Sequence, residues 1–291
     1  MEKCSYIIGT GILFCSLSSF AINLPNGDFD YPLNKTSNPA DTWFVQDSES
    51  GQYGGLVTKK YDHLRNENYV EISSHNVAPE DCIGINCHRA ELFLNPDVAD
   101  IGHEGQRTRL FFKFKIESIW DKDDPHCYSN TCYSTILQYL PEGGDYAVAP
   151  MMSFVLARYR QTELEPSISL QHKIHCGKSS NQSLYPSLCA GNEGKVIHWA
   201  SDTFVKVEPG KWYEGYSHIY WSEGKGTLSA GIRAENSTWQ YFEKDGAVFH
   251  TLPTRADDVP HLIKAGIYGY GIDAAPDSKE LVLAFDDFRI E

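Results

Sequence analysis

Apolar and polar residues in this chain alternate in short runs, and they almost nowhere recur at the spacing of an amphipathic helix. Strand-like alternation covers 69–73, 90–94, 109–116, 135–140, 152–157, 167–175, 204–207, 214–221, 227–233, 262–270 and 280–290. Turn-forming segments separate these runs, among them Pro141-Glu142-Gly143-Gly144 and Gly224-Lys225-Gly226. So many short strands predict an all-β sandwich of two antiparallel sheets. The segment SHIYWSEGKGTLSAGIRA reads as a hairpin turning at 224–226. Residues 176–203 lack the alternation and read as a long loop.

Three of these runs carry unusual polar faces. In 262–271, LIKAGIYGYG, Ala265 and Ile267 point one way while Lys264, Gly266, Tyr268 and Tyr270 share the other. That second face holds a cation, a bare position and two phenols. In 167–175, Ser167, Ser169, Gln171, Lys173 and His175 lie opposite Ile168, Leu170 and Ile174. Such a face is either plain solvent surface or the floor of a carbohydrate groove. Cys87-His88-Arg89-Ala90-Glu91-Leu92 puts Arg89 and Glu91 on one face, as an ion pair or as a fork for a substrate carboxylate. Gln138 is an amide among apolar neighbours and needs partners or a ligand. In 109–116, Leu110, Phe112, Phe114 and Ile116 form a core face, and Lys113 and Lys115 read as solvated.

The chain begins like a secretory precursor. Lys3 gives a positive start, residues 7–17 form an apolar run, and Ser19-Phe20-Ala21 suits cleavage. A signal peptide over 1–21 and a single secreted domain over 22–291 are therefore expected, with no membrane span, since no run approaches about 18 apolar residues. The six cysteines beyond the signal fall into close pairs: Cys82-Cys87, Cys127-Cys132 and Cys176-Cys189. Local disulfides are expected in an oxidising compartment. A net charge of −14 argues against nucleic acid as a partner, but leaves room for a polyanionic carbohydrate on a locally basic groove. A monomer is expected.

Taken in order, HRAEL, LFFKFKIESIW, STILQYL, GKWYEGYSHIYWSEGKGTLSAGIR, LIKAGIYGYG and LAFDDFRIE resemble the heparin-lyase-like and glucuronan-lyase-like polysaccharide lyases. Those are jelly-roll enzymes of concanavalin-like form, related in architecture to the alginate lyases. The resemblance runs from about residue 85 onward, with an R-x-E-L at 89–92 and a K-x-G-x-Y at 264–268. It implies a concave groove and β-elimination on a uronic-acid polymer, with glucuronan favoured over alginate or heparin-like chains.

β-Elimination needs hydrogen-bond donors to hold the uronate carboxylate as negative charge spreads onto it. By resemblance these are Arg89 and Gln138, with His88. It also needs a base at C5 and an acid at the leaving O4, and Tyr268 of the K-x-G-x-Y motif fits both tasks. Alginate lyases carry Gln-x-His, whereas Gln138 here is followed by Tyr139 and Leu140. The resemblance to glucuronan lyases, which use a His upstream of the Gln, implies His88 for the histidine role, with His172 and His175 as fallbacks. Lys264, about 13 Å from Tyr268 along the strand at about 3.3 Å per residue, Tyr270, Glu91, Gln171, Lys173 and His175 are expected to bind substrate.

No redox or nucleotide cofactor is implied. Asp286 and Asp287, with Asp28 and Asp30, offer hard oxygen ligands for a structural Ca²⁺, though ordinary surface acids are the plainer reading. Two other functions compete: a non-catalytic carbohydrate-binding module, and a jelly-roll glycoside hydrolase, which needs two carboxylates about 5–5.5 Å apart.

Overall fold

A computed structural model describes residues 24, 27–30, 33, 42–47, 55–74, 89–121, 131–141, 152–159, 165–175, 191, 195–254, 261–270 and 280–291. The expected signal segment and His88 lie outside the described residues, as do all cysteines except Cys132. Cys132 is buried and disulfide-bonded.

Every named element is a strand: β1 (Trp43–Gln46), β2 (Leu56–Asp62), β3 (Glu67–Ser73), β4 (Arg89–Leu94), β5 (Arg107–Ser118), β6 (Thr131–Pro141), β7 (Met152–Tyr159) and β8 (Ser167–His175). Then follow β9 (Val196–Ala200), β10 (Val205–Lys206), β11 (Trp212–Tyr220), β12 (Thr227–Ala234), β13 (Gln240–Tyr241), β14 (His250–Thr251), β15 (His261–Tyr270) and β16 (Val282–Ile290). One sheet runs β1-β4-β15-β6-β7-β8-β10, with β9 also on β8. The other runs β13-β12-β11-β5-β16-β3-β2, with β14 also on β12. This is the antiparallel jelly-roll sandwich that the alternation and the resemblance anticipate.

The apolar faces of the two sheets close on each other. Phe112 of β5 meets Phe154 of β7 edge to face at 5.5 Å, and stacks on Phe288 of β16 at 5.8 Å. Tyr139 of β6 crosses the core to hydrogen-bond the Ser217 hydroxyl of β11 at 2.7 Å. Burial pushes that phenol's pKa up, so Tyr139 stays neutral and bridges the layers. These large rings supply much of the area removed from water.

One expectation fails. The stretch read as a patternless loop contains β9, in which Val196, His198 and Ala200 alternate with Ile197 and Trp199. Only five residues alternate there, and three on the polar side are mixed in character, so the period was weak.

Candidate active site

The order β4-β15-β6-β7-β8 lays the predicted polar positions side by side on the outer face of the first sheet. Against β4, Lys264 pairs with Phe93, Gly266 with Glu91 and Tyr268 with Arg89. Against β6, Lys264 pairs with Gln138, and the register shifts between Ala265 and Tyr268. Ala265 and Ile267 point into the core as expected, fully buried.

Glu91 organises this cluster. It is 2% exposed in the side chain and accepts from Arg89 Nε at 2.7 Å and Arg89 NH2 at 2.6 Å. It also accepts from Gln138 Nε2 at 2.7 Å, with Lys264 Nζ at 3.6 Å. Lys264 Nζ reaches on to Gln46 Oε1 of β1 at 3.2 Å. Burial holds the Lys264 ammonium below its ordinary pKa, against the opposing pull of Glu91. Two cations and one carboxylate leave this patch with one surplus positive charge, which suits an incoming carboxylate.

The cation beside Tyr268 is Arg89, whose guanidinium lies 4.3 Å from the ring centroid. Lys264 turns away along the strand to Glu91 instead. The guanidinium and the ring form a cation–π pair, and the same guanidinium is hydrogen-bonded to Glu91. The bare position at Gly266 is imposed by the backbone. Its φ is +152°, and a Cβ there would lie 2.3 Å from the Ala90 carbonyl oxygen and 2.8 Å from Glu91 Cα. Only glycine lets β15 approach β4 so closely.

The row continues across the sheet: Gln138 pairs with Ser153 of β7, and Ser153 with Gln171 of β8. Gln171 therefore sits roughly 10 Å from Gln138, two strand spacings away. His198 Nε2 meets Gln171 Oε1 at 3.1 Å, and His198 pairs in register with Lys173. Burial, then the Lys173 cation, lowers the His198 pKa; burial alone lowers that of Lys173. Sequence reasoning missed His198 because its strand was missed. It also missed Gln46, Phe44 and Phe93; the two rings meet edge to face at 4.9 Å next to Lys264. The W-F-V-Q alternation in β1 was the available signal.

His172 is not on this face. It points into the core with Leu170 and Ile174, opposite Trp199, and burial drives its pKa down to about 3. His175 and Tyr270 lie on β8 and β15, with side chains outside the described residues. Asp286 and Asp287 lie on β16 of the other sheet and face cations. Asp286 takes Arg65 NH2 at 3.2 Å, while Asp287 pairs with Lys113 and Arg289, each at 3.4 Å. Asp30 accepts from Asn68 Nδ2 at 2.9 Å. Among the described residues no group of three His, Cys, Asp or Glu side chains could hold a metal ion.

No protein-family model matches this chain, and no curated protein matches it in sequence. Solved structures do match. An endo-β-1,4-glucuronan lyase from the fungus Trichoderma reesei aligns over 86% of this chain and 91% of its own, at 11% identity and a TM-score of 0.51. An exolytic alginate lyase from Zobellia galactanivorans aligns over 81% of this chain and 87% of its own, at 10% identity and a TM-score of 0.51. At such identities the likeness is one of fold, and the chain has the alginate-lyase-like jelly-roll fold found in these polysaccharide lyases.

Proposed function

We propose that this chain is a secreted polysaccharide lyase that cleaves a uronic-acid-containing polymer, glucuronan-like first, by β-elimination. The observation that carries this reading is the juxtaposition of Arg89, Gln138 and Lys264 around buried Glu91, with the Arg89 guanidinium over Tyr268.

The uronate carboxylate enters over the cluster and meets the N–H groups of Arg89, Gln138 and Lys264. As the C5 proton departs, negative charge grows on that carboxylate, where donors already fixed by Glu91 meet it. Tyr268, as phenolate, takes the C5 proton. The electron pair left at C5 forms the C4–C5 double bond, and the C4–O4 bond breaks. The same phenol then returns its proton to O4. Glu91 acts as a positioning residue beneath the donors, and Phe44 and Phe93 offer rings for a neighbouring sugar face. Gln171, Lys173 and His198 lie where a further sugar along the row would reach. Glycoside hydrolysis fits less well. Glu91 is the only carboxylate among the described residues of this face, and it is enclosed by donors.

Incubating the protein with glucuronan, alginate and heparin-like chains tests the reading. Elimination gives a conjugated, ultraviolet-absorbing 4,5-unsaturated product; hydrolysis and mere binding do not. Reducing ends without that absorbance would overturn it.

A further inference from the structure

The outer face of the second sheet, on the far side of the sandwich from the candidate active site, carries a pattern that the proposed reaction does not use. Outward positions along β5 are Arg107, Arg109, Phe111, Lys113, Lys115 and Glu117. The first five hold four cations and no acid, in a chain of net charge −14. Beside them on β11, Tyr220 pairs with Arg107, His218 with Arg109 and Tyr216 with Phe111. An ordinary solvated strand mixes both signs of charge; the end of these two strands around Arg107–Phe111 interleaves cations with rings.

The two ends of the stripe differ. At one end Lys115 is held by Glu117, and Lys113 by Asp287 at 3.4 Å, with Glu214 and Arg233 paired alongside. At the other end the cations are more exposed to solvent, although Arg109 and Arg289 also have acidic partners. Arg107 lies over Tyr220 at 5.6 Å, and Arg289 over Phe111 at 5.6 Å. Arg109 is 47% exposed with Glu291 at 3.8 Å, and Arg289 is 61% exposed with Asp287 at 3.4 Å. Phe111 and Tyr216 lie 5.7 Å apart, and Tyr241 extends that platform at 6.3 Å from Tyr216. The field is positive here: after burial, Arg109 and Arg107 are what hold the His218 pKa down.

We propose that Arg107, Arg109 and Arg289, with the rings of Phe111, Tyr216 and Tyr220, form a second binding site for an acidic polysaccharide strand, separate from the site of cleavage. Guanidinium forks take uronate carboxylates, and the rings take the apolar faces of the sugars. The choice of occupant rests on the proposed reading of the substrate. A polymer held here stays close to the enzyme between cleavage events, raising its effective concentration at the other face.

The test is the binding stoichiometry of a short uronate oligosaccharide, measured calorimetrically in a Tyr268→Phe background where turnover is slow. Two sites per chain are expected, falling to one when Arg107→Ala and Arg109→Ala are added. With Tyr268 intact, the same pair of substitutions should raise the half-saturating polymer concentration at least about fivefold. Its kcat should not change. A stoichiometry that the arginine substitutions leave unaltered overturns the proposal, and so does retention of duplex DNA in preference to polyuronate. Failure of the cleavage reading looks different: no elimination, and a single site that the arginine substitutions abolish.

Discussion

Replacing Glu91 by alanine leaves Arg89 and Lys264 facing each other across a largely dry space. Their side chains are 14% and 8% exposed, and Glu91 is the carboxylate both of them reach. Removing one partner of a buried ion pair typically costs about 3–5 kcal/mol, because the surviving charge keeps its desolvation penalty. Here two cations survive, and Gln138 loses its acceptor as well. For a domain of this size about 2 °C of Tm is lost per kcal/mol, so Glu91→Ala should melt roughly 6–10 °C below wild type. Glu91→Gln keeps the shape and one carbonyl acceptor, and should fall between the two. Activity should drop chiefly in kcat, since Arg89 loses the anchor that holds it over Tyr268. Thermal unfolding and steady-state kinetics on the same preparations check both parts. A Glu91→Ala protein that melts within about 2 °C of wild type and turns over normally would refute the idea that this carboxylate organises the site.

Three further outcomes follow from the geometry. Gly266→Ala should cost about 2–4 kcal/mol in denaturant unfolding, because φ is +152° and the new Cβ meets β4 backbone rather than a movable side chain; a loss below about 1 kcal/mol would mean that the strands separate easily. Gln138→Ala should lower kcat about 10²–10³-fold if the amide meets charge that develops in the transition state; a raised KM with intact kcat would restrict it to ground-state binding. Burial raises the Asp286 pKa from 3.8 to about 7, so between those values the native state keeps a proton that the unfolded state releases. Wild-type stability from this site therefore falls as pH rises through that window, and Asp286→Asn should gain on wild type by about 1.4 kcal/mol per pH unit across it. Denaturant midpoints at pH values from 4 to 7 would show a flat difference if the argument is wrong.

Much of the fold was legible because each strand with one buried face must alternate. Ser167–His175 could be read residue for residue, and the hairpin now seen as β11 and β12 announced itself through its glycines. Local pattern says nothing about which strands become neighbours. Arg89 and Tyr268 meet because β4 docks on β15, and nothing near either residue in the sequence shows that Arg89 rather than Lys264 covers the phenol. The conformation of Gly266 arises from the same long-range approach. Asp286 could be read as a surface acid or a calcium ligand, and not as part of a buried ion pair, for a similar reason: its partner, Arg65, lies 221 positions away. Where the period was short, as in β1 and β9, the strand and the side chains it carries, Gln46 and His198, were lost together.

In the proposed reaction Tyr268 carries the proton from C5 to O4 while Arg89, Gln138 and Lys264 hold the carboxylate. Tyr268→Phe removes one oxygen and keeps the ring under Arg89, so folding and substrate binding should persist. The measurement is the initial rate of unsaturated-product absorbance on a polyuronate that wild type cleaves, with Tyr270→Phe in parallel. Tyr268→Phe should lose several orders of magnitude in rate with KM little changed, and Tyr270→Phe should keep near wild-type rates. Near wild-type elimination by Tyr268→Phe would contradict the proposed reaction.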